Sequence, residues 1–477
     1  MTVQRLRVMS DVDIQRIHTA SLSILSNVGI QIHQSEALRS LENAGARVDH
    51  SKQLVKMPSN LVEECIKKAP KSYTLAGRSP ETDLKIEPGK TYTRCASGSL
   101  YLIDSETKKR REATRRDVKD FTRLQDALEN ISFCGGSPYP LDVPPRIQDI
   151  CQISIMLENT TKHIRFQPIS GESLDYIVKL AEAVVGGEAE LKKRPILSCI
   201  TAPSSPLRYS KEQADIIIRC GRYGLPAMLG STPIVGATGP VTLAGSLTLQ
   251  NAEILGGITM SQVMTPGAPL SYGPRTPTMD MRTGLSSWGA IEFGLAAAAG
   301  VQMGQFYGIE TDLYGMVTDA KSMDEQAATE RVFNAMLPAL AGANIVNGAG
   351  VLETILTVSL EQLVIDNEIF GMMFRILRGI RVDNETIAEN VISHVGPGGH
   401  YLAQEHTKRY YSSEHFIPRV FDREPRDLWD RSGGKDTITN AKDLAKRLLA
   451  EHDTTPLDTQ TATELQAILQ EAEKRFA

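Results

Sequence analysis

From about residue 130 onward the sequence repeats one pattern: a short apolar run, a loop rich in Gly, Pro and Ser, and an amphipathic stretch of helical length. This alternation is typical of βα units that build a parallel sheet. The candidate strands with their loops cover residues 131–140, 163–169, 195–203, 226–235, 269–277, 304–311, 344–350 and 379–383. Eight such repeats predict an α/β fold with a closed (β/α)8 TIM barrel rather than an open doubly wound sheet.

The segments between these apolar runs predict the helices of the barrel. The clearest of them cover residues 208–223, 242–264, 286–301, 324–341 and 357–378. Several are rich in Ala, Gly and Leu on more than one face, which is typical of helices that pack both on a barrel and on a partner subunit. We therefore expect a homo-oligomer.

The two ends of the chain differ from this repeat. Residues 11–44 predict two helices, residues 46–104 alternate short β-like runs with turns, and a further helix is predicted at about 115–128. Beyond residue 402 the chain is charged and ends in helices. These differences predict an N-terminal α+β extension at 1–128, a catalytic barrel at 129–402 and a C-terminal helical cap at 403–477.

Composition narrows the function classes. Of 477 residues, 41% are apolar and 23% charged, which is ordinary for a globular protein with a sizeable core. The net charge is −5 and the Lys and Arg residues are dispersed, which argues against nucleic acid as a partner. There is no apolar signal-peptide core and no run of roughly 18 apolar residues, the length that a membrane helix needs. We therefore expect a cytoplasmic protein.

The cysteines form no metal site or redox motif that can be recognised from spacing. They are far apart, without a C-x-x-C pair or a His/Cys cluster, and are interpreted as buried, reduced thiols. Their positions are Cys65, Cys95, Cys134, Cys151, Cys199 and Cys220. We expect the chain itself to bind no metal.

In a (β/α)8 barrel the active site lies at the carboxyl ends of the strands, so the residues that follow each predicted strand are the candidates. They are Tyr139, Thr201, Ser231, Tyr272, Arg275, Phe306, Tyr307, Glu310, Asn347, His394 and His400.

Aromatic side chains follow three of the predicted strands. Tyr139, Tyr272 and the pair Phe306 and Tyr307 would form a cage whose π faces attract a cation. The alternative is that these rings fill layers of the barrel core.

Charged side chains in the same loops suit a small charged substrate. Glu310 beside the cage would complement an ammonium ion, and the alternative is a helix-terminal or salt-bridging glutamate. Arg275 and Arg282 stand in a Pro-interrupted loop where Arg is well suited to capture a carboxylate. The alternative for them is an ion pair with Asp280 or another acid of the loop.

The sequence HVGPGGHYL at 394–402 combines two histidines with a turn rich in glycine. Gly398 and Gly399 would let the backbone approach a ligand closely, and His394 and His400 would supply hydrogen bonds. The turn is equally consistent with a structural role that attaches the cap to the barrel. The candidate catalytic residues are Glu310 and His400. The residues assigned to substrate binding are Tyr139, Tyr272, Arg275, Phe306, Tyr307, Asn347, His394, Gly398 and Gly399.

Four segments resemble the trimethylamine methyltransferase (MttB-like) superfamily. They are GATGPVTLAGSLTLQNAEILGGITMSQVMTPGAPLSYGPRTPTMDMRTG (236–284), TDAKSMDEQAATER (318–331), GPGGHYLAQEHT (396–407) and the strand and helix at 97–128. The resemblance implies a (β/α)8 barrel that presents the methyl group of a methylamine to Co(I) of a cognate corrinoid protein. The D-x-H-x-x-G pattern of cobalamin binding is absent, so cobalamin is expected on that partner.

One departure from the family bears on the substrate. The family's namesake carries pyrrolysine in its active site, whereas this sequence contains only the twenty standard residues. The chain therefore resembles the non-pyrrolysine branch, whose known members demethylate quaternary amines such as glycine betaine. The alternatives are an enzyme for trimethylamine, a non-catalytic binding protein for betaine-like solutes, and a barrel lyase or aldolase, for which no strand-end lysine stands out.

Overall fold

The computed structural model describes residues 5–476, and it begins with a small α+β unit. Its elements are α1 (Asp11–Ser23), β1 (Ile30–Ile32), α2 (Ser35–Asn43), β2 (Arg47–Asp49), β3 (Leu54–Lys56) and α3 (Ser59–Lys68). The antiparallel strands β4 (Tyr73–Leu75) and β5 (Leu84–Ile86) follow.

The middle of the chain alternates strands and helices. In chain order it contains β6 (Tyr92–Cys95), β7 (Tyr101–Ile103), β8 (Arg110–Glu112), α4 (Arg115–Ala127), β9 (Cys134–Gly135), α5 (Gln148–Asn159), β10 (Ile164–Phe166), α6 (Gly171–Val185), α7 (Glu188–Lys193), β11 (Leu197–Thr201), β12 (Arg208–Tyr209), α8 (Lys211–Tyr223), β13 (Ala227–Ser231), α9 (Leu243–Met264), β14 (Leu270–Pro274), β15 (Thr278–Asp280), β16 (Leu285–Ser287), α10 (Ile291–Tyr307), β17 (Asp312–Tyr314), α11 (Glu325–Ala341), β18 (Ile345–Ala349), β19 (Val351–Leu352), β20 (Thr357–Val358) and α12 (Leu360–Arg378).

Eight of these strands form two parallel sheets. Strands β9, β10, β11, β13 and β14 form one sheet, and β6, β18 and β17 form another. Isolated parallel bridges join the two sheets at both ends, between Tyr272 and Thr311 and between Arg94 and Phe133. The pairings therefore run in one cycle through eight strands, and the prediction of a mixed α/β fold is confirmed.

Two of the eight predicted strands are wrong. Residues 304–307 form the last turn of α10, because the helix continues to a left-handed cap at Gly308 (φ 63°) and the strand begins only at Asp312. Residues 379–383 form no strand. The eighth member of the cycle is β6, which lies inside the segment that was expected to precede the barrel.

Apolar packing fills the space between the ring of strands and the helices and also closes the amino-terminal end of the ring. There Leu75 and Ile86 of the β4–β5 hairpin pack against Phe133 and Ile345, which lie at the amino-terminal ends of two ring strands. The site described below lies at the opposite, carboxyl-terminal face.

The C-terminal part contains six helices: α13 (Asn384–Ile387), α14 (Glu389–Val395), α15 (Glu405–Glu414), α16 (Arg426–Arg431), α17 (Thr437–Glu451) and α18 (Thr459–Phe476). Helix α17 packs on α12 and α4, and α18 packs on α5 and α6. The last two helices therefore extend the outer layer of the molecule. Within residues 5–476 no helix is both long and apolar enough to cross a membrane.

Candidate active site

Three aromatic rings and one guanidinium group lie together beyond the carboxyl ends of the strands. We call Tyr139, Arg275, Trp288 and Tyr314 the rim cluster. The guanidinium carbon of Arg275 lies 4.7 Å from the centroid of the Tyr314 ring, and the Trp288 ring meets that of Tyr314 edge-on at 5.3 Å. The Tyr139 hydroxyl donates to the Gln167 carbonyl at 2.7 Å. Burial is the largest cause that raises the pKa of Tyr139, and the nearby Asp149 and Tyr314 raise it further.

Local sequence explains how these side chains reach the rim. Arg275 directly follows β14. Successive side chains of a strand point to opposite faces, and Tyr272 faces the outer helices. The residues at odd numbers, Ser271, Gly273 and Arg275, therefore point toward the axis of the ring. Gly230 on the neighbouring strand leaves room for Arg275, because a Cβ atom there would lie 3.1 Å from Arg275 Nη1. Small residues on one strand thus make space for a large residue on the next.

A charged network lies beneath the rim cluster, inside the ring. We call Arg94, Arg165, Asp312 and Asn347 the buried platform, and all four are fully buried. Asp312 accepts hydrogen bonds from Arg94 Nη2 at 3.1 Å and from Arg165 Nη1 at 2.6 Å. The Asn347 side-chain amide also donates to it.

The electrostatic balance of this region is positive. Burial alone would raise the pKa of Asp312, but Arg94, Arg165 and Arg275 together hold it below its ordinary value, so this carboxylate is ionised at neutral pH. Three guanidinium groups thus face one carboxylate. A buried excess of positive charge is stabilised by an anion.

Several hydrogen-bond donors of this region have no acceptor in the part of the chain that the structure describes. Among residues 5–476, Arg275 Nε and Nη2, and Arg165 Nη2, find no hydrogen-bond acceptor. Arg275 is only 6% exposed. Because leaving a buried charged donor unpaired is costly, these atoms are well placed to bind an anionic ligand group.

The structure brings three of the predicted site residues together. Tyr139 and Arg275 lie in the rim cluster, and Asn347 lies in the buried platform below them. The sequence interpretation missed Arg94, Arg165, Trp288, Asp312 and Tyr314. Asp312 and Tyr314 lay two and four residues beyond Glu310, and placing the strand correctly would have found both.

The predicted aromatic cage is not formed. The Tyr272 hydroxyl donates to Asn251 Oδ1 at 2.9 Å, and the Tyr307 hydroxyl accepts from Asn251 Nδ2 at 2.9 Å. Tyr307 also lies 3.1 Å from His18 Nδ1. These rings pack between the ring of strands and the outer helices, as the core alternative describes. Phe306 is 45% exposed and lies in the last turn of α10 rather than at the carboxyl end of a strand.

Glu310 lies at the amino-terminal end of the ring, opposite the rim cluster. It precedes β17, and its carboxyl group accepts a hydrogen bond from the Tyr73 hydroxyl of the β4–β5 hairpin. Burial is the largest cause that raises the pKa of Glu310 well above its ordinary value, and the nearby Asp312 raises it further. Its prediction as a group beside the cage is therefore wrong, because the strand that was thought to precede it is helical.

The predicted glycine turn also lies away from the ring. His394, Gly398, Gly399 and His400 are all exposed and follow α12, outside the strands. Their assignment to the barrel rim depended on a strand at 379–383, which is absent. These residues belong to a separate segment considered below.

The other loop candidates contact the chain itself. Arg282 is 88% exposed and pairs with Asp280 at 2.7 Å, which is the alternative considered for it. The Thr201 hydroxyl donates to the Gln213 carbonyl at 3.4 Å, and the Ser231 hydroxyl donates to Glu253, so both face the helix layer. Within the described part of the chain, His, Cys, Asp and Glu form no group of three or more that could hold a metal ion.

Comparisons with known proteins agree on one family. A family model described as trimethylamine methyltransferase (MTTB) matches residues 1–477. Trimethylamine methyltransferase MttB of Desulfitobacterium hafniense (strain DSM 10664 / DCB-2) is 34% identical over 98% of this chain and 94% of its own length. The MttB protein of Methanosarcina barkeri (strain Fusaro / DSM 804) is 36% identical over 89% of this chain and 86% of its own length.

A relative with a different stated substrate is nearly as similar. Glycine betaine methyltransferase of Desulfitobacterium hafniense (strain Y51) is 31% identical over 87% of each chain. Among solved structures, Methanosarcina barkeri monomethylamine methyltransferase (MtmB) covers 98% of this chain and 87% of its own, with a TM-score of 0.55 and 12% identity. At that identity the likeness shows a shared fold and nothing further.

Proposed function

This chain belongs to the trimethylamine methyltransferase (MTTB) family, and on that premise we propose that it transfers a methyl group from a carboxylate-bearing quaternary amine, such as glycine betaine, to Co(I) of a separate corrinoid protein. The observation that carries the substrate assignment is the buried guanidinium of Arg275, which lies against the Tyr314 ring and whose Nε and Nη2 atoms have no hydrogen-bond acceptor within residues 5–476. We also propose that the cyclic strand pairing forms a closed (β/α)8 barrel, with the reaction at its carboxyl face.

The carboxylate of the substrate pairs with Arg275. Its Nε and Nη2 atoms present two N–H donors in the fork geometry that matches a carboxylate. An added negative charge also offsets the positive excess of the buried platform. Trimethylamine brings neither an acceptor for Arg275 nor a negative charge, and its protonated form is repelled by the three guanidinium groups.

The trimethylammonium end of the same substrate requires a different environment. A quaternary nitrogen has no N–H group and forms no conventional hydrogen bond, so it is held by the π faces of aromatic rings. Tyr139, Trp288 and Tyr314 supply such faces within the rim cluster. A zwitterion therefore satisfies the guanidinium and the rings together.

The chemistry of methyl transfer needs little from the protein besides binding. The bond between nitrogen and the methyl carbon breaks with both electrons on nitrogen, so a neutral tertiary amine leaves and no general acid is required. The acceptor supplies the electron pair for the new bond to carbon. Positive charge on the ammonium disappears during the reaction, and a pocket that excludes water favours that change.

Methyl transfer to a reduced corrinoid protein tests this proposal. Loss of the Co(I) absorbance and appearance of methyl-Co(III) would be followed with glycine betaine, carnitine, proline betaine, choline and trimethylamine as donors. We expect the donors that carry a carboxylate to react fastest. A preference for trimethylamine, the substrate named for the MttB relatives, would overturn the assignment, and tight betaine binding without turnover would indicate a binding protein.

A further inference from the structure

A segment with no core of its own follows α12. Residues 379–419, which we call the arm, include α13, α14 and α15, and none of the arm's residues is buried. The chain on either side is packed normally, with Met373 fully buried before the arm and Val420 only 1% exposed after it.

The arm exposes large apolar side chains. Of the 22 large hydrophobic residues that are exposed within residues 5–476, the arm carries eight, in less than a tenth of the chain. They are Ile380, Val382, Ile387, Ile392, Tyr401, Leu402, Tyr411 and Ile417, with Leu402 87% and Ile380 73% exposed. Apolar surface concentrated in this way marks an interaction site.

Polar contacts hold the arm together, so its apolar side chains are left outside. Glu385 accepts hydrogen bonds from Arg409 Nη1 at 2.9 Å and from the Tyr410 hydroxyl at 2.6 Å. The Thr407 hydroxyl donates to the Tyr401 carbonyl at 2.7 Å. A groove of about 1050 Å³ lies between the α13–α14 pair and α15.

The arm lies at the amino-terminal face of the ring. Helix α12 follows β18 and runs back along the outside of the sheet, so it ends at that face. Its Arg375 pairs with Glu414 of α15 at 3.1 Å. Arg419 pairs at 2.8 Å with Glu129, which comes before β9.

A corrinoid partner must reach the opposite face, where the rim cluster lies, so the arm is not its docking surface.

The charge of the arm matches a partner like itself. It contains five Asp and Glu residues and four Lys and Arg residues, and Arg381 and Arg409 both pair with Glu385. A nearly neutral, apolar surface offers no charges that could pair with those of a strongly charged protein. Interfaces between identical subunits, in contrast, are typically apolar. We propose that the arm packs against a second copy of this chain and is the homotypic interface of an oligomer.

Sedimentation velocity of the full-length chain and of two arm variants, Leu402→Glu and Ile380→Glu, tests this interface. We expect an oligomer for the unaltered chain and a rise of about 100-fold in its dissociation constant for each arm variant. Leu285→Glu is the matched control, because Leu285 is 67% exposed on the β15–β16 hairpin at the other face. It should leave the mass unchanged.

Two results would overturn the interface: a monomeric unaltered chain, and arm variants that keep the oligomeric mass. If variants that keep the mass also lose affinity for the corrinoid protein, the arm is the docking surface of that partner instead. Circular dichroism and thermal unfolding check that the variants fold. If they do not, hydrogen exchange of the unaltered chain decides, since arm amides must become more protected as protein concentration rises and constant protection contradicts the proposal.

Discussion

Arg275 is the residue on which the proposed choice of substrate depends. Its side chain is almost fully buried, its Nε and Nη2 atoms have no acceptor within residues 5–476, and its guanidinium lies against the Tyr314 ring. The sequence identified this arginine from its Pro-interrupted loop. It could not show that Arg282, seven residues later, is solvent-exposed and paired with Asp280.

We predict that Arg275→Gln lowers kcat/KM for glycine betaine by about 10- to 100-fold, because a charge-assisted hydrogen bond contributes about 1.5–3 kcal/mol. Turnover of choline, which has the same ammonium group without the carboxylate, should change much less. Steady-state methylation of the corrinoid protein gives both values. Arg282→Gln is the control and should change neither. Equal losses for betaine and choline would show that Arg275 does not read the carboxylate.

The aromatic ring at position 314 gives a second prediction. Tyr314→Leu should weaken binding of glycine betaine by about 0.5–2 kcal/mol, because it removes a π face from the ammonium site. Tyr314→Phe keeps the ring and should bind nearly as well as the unaltered chain. Isothermal titration calorimetry measures both affinities. Phe306→Ala is the control on the exposed end of α10, and an equal effect there would place the cage elsewhere.

At the scale of elements, the β4–β5 hairpin closes the amino-terminal end of the ring and buries Glu310 beneath Tyr73. Burial raises the pKa of this carboxyl group in the folded protein above its ordinary value of 4.5. Above that pH the unfolded chain has released the proton while the folded chain still holds it. This group therefore makes the folded protein less stable as pH rises through that range.

Glu310→Gln should remove this pH dependence, since the amide is neutral at every pH. We predict that the variant gains stability relative to the unaltered chain on going from pH 5 to pH 8. Urea unfolding at several pH values measures the difference in free energy of unfolding. Glu64→Gln, at an exposed position of α3, is the control and should show no such trend. A constant difference across pH for Glu310→Gln would contradict a buried, protonated carboxyl group.

Elements with a strong periodic pattern were predictable from the sequence. Helices α8, α9, α11 and α12 fall at or within a few residues of their predicted ranges, because long amphipathic or apolar segments leave few alternatives. Strand β6 was missed because Arg94 interrupts it with a charge that the ring buries against Asp312. The segment at 304–311 was misassigned because its aromatic residues suit a strand as well as a helix end.

At the scale of the whole molecule, the family resemblance inferred from four segments is confirmed, since the family model matches all 477 residues. Local motifs were sufficient for this because they are specific to the family.

The rim cluster and the buried platform were not predictable, because they join side chains from strands as far apart as β6 and β18. The proposed reaction and the proposed interface occupy opposite faces, so each copy in an oligomer keeps its rim cluster accessible to a partner.

The pairing of β6 with β18 joins residues about 250 positions apart, since Asn347 lies opposite Arg94. On the ribosome, β6 emerges early and must wait for most of the chain before its second neighbour exists. Until then the nascent ring has two open strand edges, and unpaired edges invite pairing with other chains. Chains that end before about residue 350 lack this pairing, so we expect them to aggregate more readily than chains that contain β18.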